Sequence, residues 1–184
     1  MGNSAIYWLA AAGAVLVYVI LTYNRGIGLR NYVQEAFATM DVYLKKRWDL
    51  VPNLIEIVKN YAKHEKTLLE DITKLRTKSY GELTEAEKLD TNAQLGKQLS
   101  KIVAVAENYP DLKANQSYML LMQQMSAVED DIAEARKYYN GTVREFNTFR
   151  DVFPTNLVCK FFGWQRAKMF EIEKEQRENV KVEM

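Results

Sequence analysis

Four polar residues late in the chain, Glu129, Arg136, Asn140 and Asn147, have types and spacings that could do chemistry. At roughly 100° per residue a helix gathers them into a stripe about 40° wide. An arginine, a carboxylate and two amides on one face could form a catalytic site, an interaction surface or a structural device. The same helix carries Tyr118, Leu121, Met125, Val128, Ile132, Tyr139, Val143 and Phe146 on one face. The stripe is centred only about 60° from that face, so it borders a buried seam and not open solvent. Two earlier charges hold similar positions. Arg47 follows Met40 by seven residues, and Glu65 lies seven after Val58 and seven before Ile72.

Half-buried charges need partners, because an unpaired one costs several kcal/mol. Pairing Arg47 and Arg136 with Glu65 and Glu129 would neutralise the set. Asn140 and Asn147 would then bridge the remaining backbone or carboxylate groups. The simplest reading is a polar ladder that sets helix register and partner choice, as a seam asparagine does in coiled coils. A groove for a ligand or peptide is the second reading, and catalysis the third.

Other catalytic schemes find little support. Helical bundles that hold metals use Glu-x-x-His pairs, but this chain has one histidine, His64, and Tyr61 stands three residues before it. His64 and the single Cys159 are 95 positions apart, so only the fold could bring them together. Zinc-ligand spacings, a Gly-rich phosphate loop and a G-x-S-x-G elbow are missing from the sequence. Asn140-Gly141-Thr142 matches a glycosylation sequon, but inside a helix this is a chance match. The expectation is a protein with no catalytic, cofactor-binding or metal-binding residues and no cofactor.

The positioning elements are helices. Only 8 glycines and 3 prolines among 184 residues leave too few turn residues for an all-β chain. Val33, Phe37, Met40 and Leu44 define a helix over 29–48. Asp49 reads as an N-cap with Pro52 in the following first turn, opening a second helix to about 79. A single helix kinked at Pro52 is the competing reading. Thr84-x-x-Glu87 is a capping-box pattern that opens a third helix, Leu89 to about 107. Tyr109-Pro110-Asp111 breaks it, and a fourth helix runs over about 113–151. The fold class expected is all-α: an N-terminal transmembrane helix, then an antiparallel four-helix up-and-down bundle of long helices. Domains follow as 1–24 anchor, 25–152 bundle, 153–170 aromatic and basic segment, and 171–184 charged tail.

Residues 5–23 carry no charge and are long enough to cross a bilayer as a helix. Tyr7 and Trp8 at one end and Tyr23 at the other suit the interfacial aromatic belts. The preceding MGNS lacks the positive charge of a signal peptide, so the stretch reads as an uncleaved anchor. Arg25, Arg30, Lys45, Lys46 and Arg47 follow it, which places the N-terminus outside and the bundle in the cytoplasm. The segment 153–170 mixes Phe161, Phe162 and Trp164 with Lys160, Arg166 and Lys168, a composition for a membrane surface or a subunit contact. An up-and-down bundle returns it to the anchor, whereas continuity through Pro52 would carry it away. With 25 basic and 24 acidic residues there is no field to collect nucleic acid.

The runs RNYVQEAFATMDVYLKKRWDLVPNLIEIVKNYAKHE, ENYPDLKAN, E-x-x-I-A-x-A-R-x-Y-Y-N and VFPTN resemble the LemA family. The resemblance covers about 22–165 and leaves the 171–184 tail outside. It implies a bacterial membrane protein with one N-terminal span and a cytoplasmic helical bundle, and it brings no enzymatic activity, cofactor or catalytic residue. Relatives linked to magnetosome membranes imply membrane organisation. The expected function is a non-enzymatic homo-oligomeric scaffold that organises or curves the bacterial inner membrane. The alternative is a membrane-anchored adaptor or sensor that binds a protein or peptide. The expected partners are the lipid bilayer, further copies of the chain and an unidentified protein.

Overall fold

The structure is a computed structural model that describes residues 2–62 and 64–170. Among the described residues it is all-helical: α1 (Gly2–Tyr61), α2 (Lys66–Leu75), a 3-10 turn (Tyr80–Glu82), α3 (Glu85–Ala106), α4 (Pro110–Lys113), α5 (Gln116–Asp151) and α6 (Thr155–Phe161). The chain from Gly163 to Phe170 then runs on without regular structure, as a strap.

The first correction concerns Pro52, which lies inside α1 and does not end it. Proline in a helix interior costs about 3 kcal/mol, through a lost hydrogen bond and a clash with the preceding turn. Met40, Leu44, Val51, Leu54 and Val58 continue a single stripe across it, and all five are fully or almost fully buried. Each such side chain contributes roughly 1.5–3 kcal/mol on burial, so their sum outweighs the proline. Asp49 is accordingly not an N-cap. It lies mid-helix and pairs with Lys45 one turn earlier.

α1 ends later, at Tyr61, and Glu65 is the N-cap residue of α2. The helical phase restarts there. The seven-residue register that linked Val58, Glu65 and Ile72 therefore does not exist. The remaining boundaries fall close to expectation. Thr84 and Glu87 form the reciprocal capping box, although α3 starts at Glu85 and not Leu89. Pro110 occupies the first turn of α4, and α5 stops at Asp151, three residues before Pro154. The Phe153–Pro154 peptide bond is cis.

The described residues form two compact units, and α1 and α5 supply side chains to both. The first takes the chain up to Ala38 and Lys137–Met169. Its core joins Leu29, Phe146, Phe149 and Cys159, with Val33, Trp164 and Ala167 packed against them. Gly26 is a close approach in this unit, because a Cβ there would overlap the Trp164 indole. Thr39–Arg136 and Phe170 fall in the second unit. Its core is Met40, Leu44, Val51, Leu54 and Val58 of α1 with Ile72, Leu95, Ile102, Leu112 and Val128.

The early part of α1 is long and apolar enough to cross a membrane. Ile6, Tyr7, Trp8, Leu9, Val15, Leu16 and Leu21 all stand more than half exposed on it. The anchor boundary expected at residue 24 falls inside this continuous helix.

Candidate functional site: a buried arginine centre and its cleft

In the second unit, Arg47 is only 3% exposed. Its position on the stripe of Met40, Leu44 and Val51 forces the guanidinium inward. Nη1 donates to both Glu129 carboxylate oxygens, at 2.7 and 3.0 Å. Nη2 donates to the backbone carbonyl of Asn92 at 2.6 Å and to its Oδ1 at 3.0 Å. Asn92 is fully buried, and its Nδ2 donates to the Lys88 carbonyl at 3.0 Å. Of the four charges expected to neutralise one another, Arg47 is thus paired with Glu129. Asn92 escaped the sequence reading, although it follows Leu89 by three residues and precedes Leu95 by three on the apolar face of α3. A polar residue at that spacing was the available signal. Glu65, at the start of α2, is not among the partners of Arg47.

Arg136 lies on the same face of α5 as Glu129, seven residues on, and stacks over the Phe170 ring at 5.7 Å. Burial lowers its pKa, opposed by the charge of Glu129. Arg47, Lys97, Ser126, Glu129, Arg136 and Phe170 all line a cleft of about 330 Å³, with Met122, Met125 and Leu99 supplying apolar wall. Three cations and one carboxylate around an apolar cleft suit an anionic group with an apolar body.

A second polar cluster in this unit was not foreseen. Asp41 accepts from the Tyr80 hydroxyl and from Lys88 Nζ, both at 2.6 Å. Tyr80 packs on Trp48 at 5.4 Å, and the Arg76 guanidinium sits over the other ring of that pair, Trp48, at 5.0 Å. Burial first, then the bond to Asp41, pushes the Tyr80 phenol well above its ordinary range. Its members come from 41, 48, 76, 80 and 88, so no local spacing announces it.

In the first unit the polar residues of α5 hold the strap. Asn147 Nδ2 donates to the Ala167 carbonyl and the Ala167 N–H donates back to Asn147 Oδ1, both at 2.9 Å. The Tyr139 hydroxyl donates to the Lys168 carbonyl at 2.7 Å, and Arg150 Nε to the Trp164 carbonyl at 2.9 Å. Asn140 is half-buried one turn before Arg144. Asn147 therefore bridges backbone groups, as its seam position required.

The aromatic residues divide. Tyr7, Trp8 and Phe161 are exposed, whereas Trp164 is wedged against Gly26 in the core. Tyr23 lies 4.7 Å from Phe162 and 5.6 Å from Trp164, ring to ring. Continuity through Pro52 thus does not carry the 153–170 segment away from the anchor.

The LemA family model matches residues 36–184, so the likeness extends through the charged tail that the sequence reading left out. Magnetosome protein MamQ 2 of Paramagnetospirillum magneticum is 22% identical, over 86% of this chain and 68% of its own length. Protein LemA of Metamycoplasma hominis is 24% identical, over 82% of this chain and 69% of its own. Magnetosome protein MamQ of Magnetospirillum gryphiswaldense is 21% identical, over 85% and 67%. With a buried arginine centre and an apolar N-terminal helix in place, and a family match over most of its length, the chain belongs to the LemA family.

Proposed function

We propose that this protein is a non-enzymatic scaffold of the bacterial inner membrane. It is held by one span with the N-terminus outside and the helical domain in the cytoplasm, as an up-and-down four-helix arrangement. Copies associate into a homo-oligomer that organises or curves the bilayer. The observation that carries the membrane part is the bare apolar surface of α1 from Ile6 to Leu21, which lipid would cover and water would not. Self-association draws support from the small residues Ala10 to Ala14, where a Cβ on Gly13 would meet nothing and two spans can approach closely. Kinship with proteins named for the magnetosome agrees with membrane organisation.

The cleft favours a second reading, a membrane-anchored adaptor that takes an acidic peptide or protein segment against Arg136 and Phe170. Asn147 is committed to Ala167, so this groove rests on Glu129 and Arg136.

Light scattering of the full-length protein in mild detergent tests the first reading, with Gly13→Leu and Arg136→Ala alongside. A discrete homo-oligomer that Gly13→Leu reduces is expected. A monomer throughout overturns the scaffold and leaves the adaptor. A C-terminal reporter that is active only outside the cytoplasm should stay silent, and activity would overturn the orientation.

A further inference from the structure

Unlike an ordinary surface helix, α6 carries large apolar side chains on both of its faces. Val158 and Cys159 point into the core, which accounts for one side. Leu157 and Phe161, one turn apart on the other side, are 59% and 83% exposed, and Phe153 just before the helix is 79% exposed. Folding thus leaves three large apolar side chains of this short segment in the open, two of them on one face of α6, which marks an interaction surface.

The position of this patch identifies its occupant. Phe162 closes α6 and packs on Tyr23, the last residue of the uncharged stretch. The Trp164 ring completes the cluster. With α1 read as a span, Tyr23 stands at its end where an interfacial aromatic would sit, and α6, packed on it through Phe162, would lie beside the headgroup layer. Exposed cations lie on the same segments: Lys160 on α6, Arg25 on α1 just after Tyr23, and Arg166 on the strap. Asp151 faces Arg150 and Arg166, and the Arg25 guanidinium lies over the Phe149 ring at 5.7 Å, which leaves Lys160 for anionic headgroups.

We propose that Phe153, Leu157 and Phe161 of α6 form a second membrane contact, inserted in the interfacial region of the same bilayer that α1 spans. This rests on the reading of α1 as a span. A short helix that lies in the interface with apolar side chains down and a lysine level with the headgroups is a known mode of lipid association. Here it would fix the rotation of α1 about its axis, because only one face of α1 carries α6.

The test uses the full-length chain in vesicles of mixed zwitterionic and anionic lipid. Single cysteines, Leu157→Cys, Val15→Cys or Tyr32→Cys, are introduced in a Cys159→Ala background and labelled with bimane. If Cys159→Ala loses helicity, Cys159 is retained, since its buried thiol is shielded from the label. Quenching is read with shallow nitroxide lipids and with aqueous iodide. Tyr32 lies nine residues beyond Tyr23 on α1, about 13 Å along the helix, and serves as the water control. The Leu157 label is expected to be quenched by nitroxide lipid several-fold more than the Tyr32 label, and to be shielded from iodide. A Leu157 label that follows Tyr32 while Val15 is lipid-quenched overturns the α6 contact and leaves the span standing. A Val15 label open to iodide removes the span and the proposal with it. A Leu157 label shielded from both quenchers means that protein covers the patch, and also overturns the proposal.

Discussion

Arg47 and Glu129, 82 residues apart, are joined by two hydrogen bonds from one guanidinium nitrogen, one partner nearly sealed from solvent and the other still 43% exposed along its side chain. That asymmetry governs the effect of substitution. Removing Glu129 leaves Arg47 with its Asn92 bonds and solvent near the vacated site. Glu129→Gln should cost only ~1–2 kcal/mol, discounted for exposure. Arg47→Ala opens a cavity and strands Asn92, and should cost ~3–5 kcal/mol. The double change Arg47→Met with Glu129→Leu should cost less than the sum of its parts. Thermal unfolding in detergent, followed by far-UV circular dichroism, measures all three.

The Asn147 amide closes a two-bond clamp on Ala167. At roughly 0.5–1.5 kcal/mol per bond, Asn147→Ala should raise opening of the strap by about tenfold or more. Trypsin provides the readout, because Arg166 and Lys168 flank the clamped residue. Cleavage there should accelerate while helix content stays constant. An unchanged rate would mean that Tyr139 and Arg150 hold the strap alone.

Two helical glycines should respond in opposite directions to the same change. At Gly96 an added Cβ would meet Arg47 Nη1 at an ordinary 3.5 Å, so Gly96→Ala should stabilise by about 0.5–1 kcal/mol through helix propensity. At Gly26 the Cβ would run into the Trp164 ring, with Phe149 at 3.0 Å behind it. Gly26→Ala should destabilise by about 1–3 kcal/mol despite the same propensity gain. Unfolding midpoints of the two variants decide the matter.

The capping box predicts a pH signature. Lys78, followed by the Thr84 backbone and hydroxyl, holds the Glu87 carboxyl down from 4.5 to about 2. A folded-state pKa below the unfolded one contributes stability that is present above the unfolded value and lost as pH falls toward the folded one. The melting temperature of the native chain should therefore exceed that of Glu87→Gln near neutral pH. The gap should close between about pH 4.5 and about pH 2. A gap independent of pH over that window would assign the effect to the box geometry and not to the charge.

The all-helical class and the uncharged N-terminal stretch follow from the sequence alone. So do the seam of α5 from Tyr118 to Phe146 and the Thr84–Glu87 cap. Each depends on residues within a turn or two of one another, where the 3.6-residue period and the unpaired groups of a helix end act locally. Local rules also placed Arg47 and Glu129 on their seams, and Asn92 was legible by the same periodicity. Only the tertiary structure decided whether Pro52 would break α1. The answer lies in the summed burial of Met40, Leu44, Val51, Leu54 and Val58 against other helices, which no window of sequence contains. The end of α1 at Tyr61 and the fresh start of α2 at Lys66 followed from that, and with them the end of the register that had put Glu65 on a seam. Long-range packing also joined Asp41 to Tyr80, set Trp164 against Gly26 and brought Phe162 to Tyr23. Periodicity tells a side chain which way to face, but its partner is chosen by whichever distant surface excludes water there.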